Sequence, residues 1–224
     1  MSASSTSDFN KIITLLKKEW QLDIRHRSAF YGVFLYSLLT VFLIFYAFKE
    51  VEPITWVCLF WIITLFAALN AMAKSFLQES ASRWNYYYTL HSPTQLLVAK
   101  FIYNFFLLGI ITLFNLILFV LFLGFPIENK MMFYGSVLLG VLAFVLMFSI
   151  MSSISAKASK NASLSAILSL PVIIPLLSVL INFSLKTIAT APYNIFTSDI
   201  VLLSSIDVLM LALGLLLFRF TWRD

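Results

Sequence analysis

The side chains that could bind a partner or do chemistry are concentrated in one polar stretch of an apolar chain, residues 74–100. Charged, amide and aromatic residues follow one another there: Gln78, Glu79, Arg83, Trp84, Asn85, Tyr86, Tyr87, Tyr88 and His91. Arg and large aromatic residues dominate the energy of protein–protein contacts, and Trp and Tyr also form belts where a membrane meets water. The stretch is therefore predicted to be a surface, either for a partner or for lipid headgroups.

The chain lacks the common motifs for catalysis and cofactor binding. Its six glycines form neither a GxxxxGK[ST] phosphate loop nor a GxGxxG fingerprint, which excludes ATP hydrolysis by the phosphate-loop route. His26 and His91 lie in different segments, with no HExxH motif and no grouping with cysteine. The single Cys58 has no partner for a disulfide. We expect a non-catalytic chain with no metal or cofactor of its own.

Asn104, Asn115 and Asp207 are polar residues within the apolar stretches. Asn104 and Asn115 are eleven residues apart and share one helical face, and Asp207 lies about a third of the way into the last stretch. Polar side chains are costly at membrane depth unless they point at other helices, so this face is predicted to point inward. We expect Asp207 to hydrogen-bond a polar neighbour on the third or fifth span; the alternative is an interfacial aspartate reached by water.

Pro171 and Pro175 lie four residues apart in another apolar stretch. Each proline removes a backbone hydrogen bond and clashes with the preceding turn, which predicts a kink or a loosened segment. A moving hinge and a statically bent helix both fit this pattern.

Composition requires a membrane around these residues. Of the 224 residues, 61% are hydrophobic and 11% are charged, whereas a typical soluble domain has about 25% charged residues. A helix of about 20 residues crosses about 30 Å of hydrocarbon. Six apolar stretches fit, at about 29–48, 53–73, 101–125, 131–154, 162–185 and 199–218. The sequence predicts an all-α integral membrane protein, with a flexible tail at 1–8 and one six-helix domain at 9–224.

Basic residues predict the orientation. Of the 15 Lys and Arg residues, only Lys49, Lys130 and Lys186 fall outside if the amino terminus is cytoplasmic. This bias places both termini and residues 74–100 in the cytoplasm. It also explains the net charge of +5 without a nucleic-acid partner. We expect no cleavable signal peptide, because no short apolar core followed by a cleavage site opens the chain.

Two short helices are predicted at the cytoplasmic face. One is amphipathic, with Lys11, Lys18 and Arg25 on one face and an apolar face of Phe9, Ile12, Ile13, Leu16 and Trp20. It should lie in the headgroup layer, as an anchor or as a binding element for a partner. The second covers roughly residues 83–90. After it, Ser92-Pro93-Thr94-Gln95 predicts a new helix with Ser92 as N-cap and Pro93 at the first helical position.

Several segments together resemble the haem exporter protein B family, CcmB. They are the opening helix ending in KKEWQLDIRHR, the six spans, the cytoplasmic loop with Leu90-His91-Ser92-Pro93 and Lys100, and the LPVIIP segment of span five. The resemblance covers most of the chain. It implies the permease of an ABC-type exporter for cytochrome c maturation in the bacterial inner membrane, with haem as possible cargo and ATP bound by a partner chain.

The resemblance also implies partners and contact residues. The partners would be an ATPase subunit (CcmA), the haem-handling proteins CcmC and CcmD and, indirectly, the periplasmic haem chaperone CcmE. A second copy of this chain is a further candidate partner. A short coupling helix between spans two and three would dock on the ATPase, which makes Gln78, Glu79, Arg83, Trp84 and Tyr87 its candidate contacts. The alternatives are a secondary transporter, for which Asp207 is the one intramembrane charge, and a membrane assembly factor that transports nothing.

Overall fold

The computed structural model describes residues 13–17, 19–21, 27–72, 93–158, 162–189 and 192–221. Six long helices account for most of them: α1 (Arg27–Phe48), α2 (Pro53–Met72), α3 (Pro93–Leu123), α4 (Lys130–Ala158), α5 (Ala162–Lys186) and α6 (Thr197–Thr221). A single 3-10 turn, Tyr193–Ile195, precedes α6. Each long helix is long and apolar enough to cross a membrane, which confirms the predicted all-α architecture with six spans.

The helix boundaries follow local sequence signals. Pro53 and Pro93 occupy the first positions of α2 and α3, where a missing N–H costs nothing. Gly124 has φ 75°, a left-handed conformation that is easy for glycine and that ends α3 at Leu123. Helix α3 thus begins about two turns before the predicted third span, about 101–125, and ends two residues before the end of that span.

Helix α4 is the centre of the bundle, because it packs against α2, α3, α5 and α6, whereas α1 packs mainly against α2 and α3. Aromatic rings fill the core towards the predicted external end. Trp56 and Phe60 of α2 meet Phe119 of α3 at ring-centroid distances of 5.2 and 5.6 Å, and Phe60 meets Phe133 of α4 at 5.7 Å. Such offset and edge-on ring pairs stabilise a core beyond the area they bury.

Side-chain hydrogen bonds connect three helices beside this aromatic core. Trp61 Nε1 of α2 donates to Ser184 Oγ of α5 at 2.8 Å, and that oxygen lies 3.1 Å from Ser136 Oγ of α4. One turn along α4, Gly140 leaves space for the Trp61 ring. Because the interior of a membrane contains no water, polar side chains there form their hydrogen bonds with neighbouring helices.

The outer surface is apolar along most of its length. Exposed hydrophobic residues run along α1 from Tyr31 to Phe48, along α5 from Ile167 to Ile174, and along α6 from Val201 to Leu216. On a soluble monomer a surface of this kind would be a liability, but against lipid it is the expected one.

Candidate functional site

The predicted docking residues, Gln78, Glu79, Arg83, Trp84 and Tyr87, lie outside the described residues, as does the short helix predicted around them. The structure does describe both ends of the segment that contains them. Helix α2 ends at Met72, and α3 begins at Pro93, as the capping signal predicted. The contacts themselves stay a prediction, and the described residues around these two helix ends form the candidate site.

The N-terminal helical residues, 13–17 and 19–21, pack against this end of the bundle. Leu15 is 3% exposed, and Leu16 packs on a cluster formed by Val33 of α1, Ala67 of α2 and Tyr103, Leu107 and Ile111 of α3. Trp20, predicted to share the apolar face, is instead 57% exposed. The buried face of this helix therefore contains Leu15 and Glu19 and not Trp20. Glu19 has a partner in the bundle that the spacing of residues in the sequence could not indicate.

That partner is Lys100, on the third turn of α3. Lys100 Nζ donates to Glu19 Oε2 at 3.3 Å, and Lys100 is only 1% exposed. A buried ammonium group is tolerated where a carboxylate and further hydrogen bonds accompany it. From sequence, Lys100 is a charge that favours a cytoplasmic location and one of the residues that carry the family resemblance, and neither role indicates Glu19 as its partner. Nothing local relates two residues that are 81 positions apart, so this pair could be found only in the folded chain.

Asn104 lies one turn beyond Lys100 and connects α3 to α4. Its Nδ2 donates to Ser149 Oγ at 2.9 Å. Asn115 is also fully buried, yet neither its amide nitrogen nor its oxygen has a hydrogen-bond partner in the parts of the chain that the structure describes. The two asparagines do point into the protein, but only Asn104 joins helices through a hydrogen bond that the structure shows.

Asp207 is buried on α6, 5% exposed, between Leu203 and Met210. Met210 belongs to an apolar cluster with Leu146 and Ile150 of α4. Neither carboxylate oxygen of Asp207 has a hydrogen-bond partner among the described ranges. The hydrogen bond expected from α3 or α5 is therefore not found there, because the seam between α4 and α6 places aliphatic side chains next to this part of α6.

Pro171 and Pro175 both lie inside α5, which continues from Ala162 to Lys186. Both side chains are exposed on the outer surface. Since a proline nitrogen carries no hydrogen, the carbonyl groups of Ile167 and Pro171 lose their usual helical donors. Neither proline ring is buried in the core, so both can be replaced with little loss of packing. The hinge therefore stays a prediction that substitution can test.

No group of three or more His, Cys, Asp or Glu side chains with metal-binding geometry occurs within the described residues. At the predicted external end, an ion pair joins two spans. It links Lys186 of α5 to Asp199 of α6. Asp199 also lies in the first turn of α6, where a negative charge is favourable. The ion pair and the charge in the first turn of α6 both hold α5 and α6 in place.

The comparisons with known proteins add one match. The family model described as CcmB protein matches residues 10–220, nearly the whole chain. No curated protein and no solved structure matches. The match includes the N-terminal helical residues, the six spans and the segment between α2 and α3.

Proposed function

The chain belongs to the CcmB protein family, and on this premise we propose that it is the permease subunit of an ABC-type exporter driven by a separate ATPase. Membership makes the chain a non-catalytic, multi-pass component of haem transport for cytochrome c maturation. The ATPase, the bacterial inner membrane and the step that ATP drives belong to our proposal. The family match over residues 10–220 is the observation that carries it.

Two features of the chain support a separate ATPase. The sequence contains no phosphate loop, so energy from ATP must come from another protein. The segment between α2 and α3 is rich in charged and aromatic residues, and the two helices that flank it both contribute to the cluster on which Leu16 packs. We propose that the ATPase, CcmA-like, docks there through Gln78, Glu79, Arg83, Trp84 and Tyr87.

The remaining partners follow from the same premise. CcmC-like and CcmD-like membrane proteins would handle haem beside this subunit, and a CcmE-like chaperone would receive it in the periplasm. Two copies of the chain could together serve an ATPase dimer. Haem is the proposed cargo of the system, and the apolar surfaces of α1, α5 and α6 are available to membrane partners as well as to lipid.

The proposed orientation has both termini and residues 74–100 in the cytoplasm. It rests on the distribution of Lys and Arg, with three of the 15 on the external side. A single cysteine at position 88, in a variant without Cys58, should react with a membrane-impermeant label in inverted vesicles and not in intact spheroplasts. The reverse pattern would overturn the orientation.

The test of the proposed function is capture of the ATPase by the tagged chain, with Arg83→Glu as the diagnostic variant. Docking contacts concentrate their energy in few Arg and aromatic residues, so Arg83→Glu should reduce ATPase capture at least about tenfold and stop cytochrome c maturation. The control is Lys74→Glu, which makes the same change of charge, from positive to negative, in the same segment. It should behave like the parent.

An aromatic belt in the lipid interface would give a different result. It should tolerate Arg83→Glu and respond instead to Trp84→Ala, through poorer membrane insertion. Normal capture and normal maturation for Arg83→Glu would remove Arg83 from the docking site. Absence of any captured ATPase with the parent chain would favour an assembly factor that transports nothing.

A secondary transporter is the second candidate, because of one observation. Asp207 is a carboxyl group buried within a span, and such groups often belong to ion or proton pathways. Transport of this kind would collapse when the proton gradient is dissipated and would persist with an inactive ATPase. An ATP-driven system predicts the opposite dependence on the ATPase.

A further inference from the structure

The N-terminal helix packs on a cluster to which three helices of the bundle contribute. Leu16 packs on the cluster formed by Val33 of α1, Ala67 of α2 and Tyr103, Leu107 and Ile111 of α3. Ala67 lies five residues before α2 ends, and Lys100, the partner of Glu19, lies seven residues after α3 begins. Both spans that flank the proposed docking segment therefore take part in the packing of this helix.

The polar part of this contact is the Glu19–Lys100 pair. Lys100 is 1% exposed and its Nζ lies 3.3 Å from Glu19 Oε2, whose side chain is 10% exposed. Charges shielded from water in this way interact more strongly than charges at a protein surface. The pair thus makes the position of the N-terminal helix depend on the position of α3.

The opposite face of the N-terminal helix does not share in this packing. Lys17, Trp20 and Gln21 are exposed. A helix that served only as a lipid anchor would need its apolar residues outward, but Leu15 and Leu16 point at the bundle, together with Glu19. Leu15, Leu16 and Glu19 therefore attach the described part of this helix to the bundle.

We propose that the Glu19–Lys100 pair fixes the N-terminal helix across the ends of α2 and α3, so that ATPase movements at the intervening segment are passed to the spans. This rests on the proposed function. Glu19 and Lys100 are positioning residues: they touch neither ATP nor haem. Without the pair, the ends of α2 and α3 could respond to the ATPase without moving the bundle as a unit.

The test is a charge-reversal cycle in the full complex, with Glu19→Lys, Lys100→Glu and the double variant. Each single variant should capture the ATPase in the parent amount, because residues 78–87 are unchanged. Its yield of haem-containing cytochrome c per captured ATPase should fall at least about tenfold, since two like charges now meet in a buried site. The double variant restores opposite charges and should recover most of that yield.

Matched controls change the exposed face of the same helix. Gln21→Lys adds a positive charge on the exposed face, opposite Glu19, and Lys17→Glu reverses a positive charge on that face; both variants should behave like the parent. The conservative Lys100→Arg should retain most of the yield.

Several results would overturn the inference. Single variants with parental yield would show that the pair does no positioning, and a double variant as poor as the singles would show that the opposite charges are not the reason. A single variant could instead lose this chain from the membrane and lose haem-containing cytochrome c in the same proportion, with a normal yield of cytochrome c per captured ATPase. The pair would then only stabilise the fold. Failure of the parent to capture an ATPase would instead count against the proposed function.

Discussion

At the scale of single residues, burial without a partner is the informative observation. Asp207 and Asn115 are both buried, and no hydrogen bond to their side chains occurs within the described ranges. Asn104 and Lys100, on the same helix as Asn115, have partners on other elements. A polar group without a partner costs free energy wherever water is excluded. Residues of the two kinds should therefore respond differently to replacement by apolar residues.

Asp207 provides the sharpest case. Sequence reasoning, which assumed a hydrogen-bonding partner, predicts that Asp207→Asn is milder than Asp207→Leu. The structure reverses this order for stability: Leu should be as stable as the parent or more stable, by about 1–3 kcal/mol, while Asn keeps an unpaired polar group in the seam. Melting of the purified protein in detergent would measure it.

A Leu variant that melts well below the Asn variant would contradict this account and would indicate a partner for Asp207. If both variants are stable but cytochrome c maturation fails in both, the carboxyl group itself is needed for transport.

At the scale of helices, the sequence predicted what depends on local chemistry. Six spans were predictable because apolar length and helix signals such as Pro53 and Pro93 lie within a few neighbouring residues. The pairing of Glu19 with Lys100, and the aliphatic surroundings of Asp207, depend on which helices become neighbours. Periodicity specifies the face of a helix and leaves open what that face meets, so the sequence indicated that Asn104, Asn115 and Asp207 are buried but not which side chains surround them.

Packing of α4 against α2 and α5 gives a prediction at this scale. A Cβ atom at Gly140 would lie 2.7 Å from Cζ3 of Trp61 and 2.9 Å from Cδ2 of Leu180, closer than atoms tolerate. Gly140→Ala should therefore destabilise the protein by about 1–3 kcal/mol. Gly135→Ala is the matched control on the same helix, because nothing lies within 4 Å of its added Cβ.

Gly135→Ala should even gain stability, by about 1 kcal/mol, from the better helix propensity of alanine. Equal melting temperatures for the two alanine variants would show that α4 does not approach Trp61 as closely as the structure has it.

The two prolines of α5 give the second prediction for an element. Each proline costs about 3 kcal/mol in a helix interior relative to alanine, and both rings are exposed, so replacing them removes little packing. Pro171→Ala with Pro175→Ala should raise the melting temperature. If the segment is a hinge, the same variant should also slow cytochrome c maturation severalfold, whereas a statically bent helix predicts normal maturation.

Leu170→Ala, an exposed change on the same turn, is the control for altered lipid contact and should leave maturation unchanged. A double proline variant with unchanged or lower melting temperature would mean that the prolines do not strain α5.

At the scale of the whole molecule, the chain is a six-helix membrane bundle of the CcmB family whose centre is α4. Its N-terminal helix and the ends of α2 and α3 meet at one end, and α1, α5 and α6 present apolar surfaces outward. This arrangement suits a subunit that receives mechanical work at one end and shares a membrane with partners. The claim that this work comes from ATP is the central one.

The most direct test of that claim is the amount of haem-containing cytochrome c in cells that lack their own copy of this chain. Cells receive this chain together with one of two forms of the ATPase subunit. One form is intact, and in the other the phosphate-loop lysine is replaced, so that the subunit still binds this chain but cannot hydrolyse ATP. The account predicts full cytochrome c formation only with the intact ATPase and this chain together. Equal cytochrome c formation with the hydrolysis-defective ATPase would contradict it.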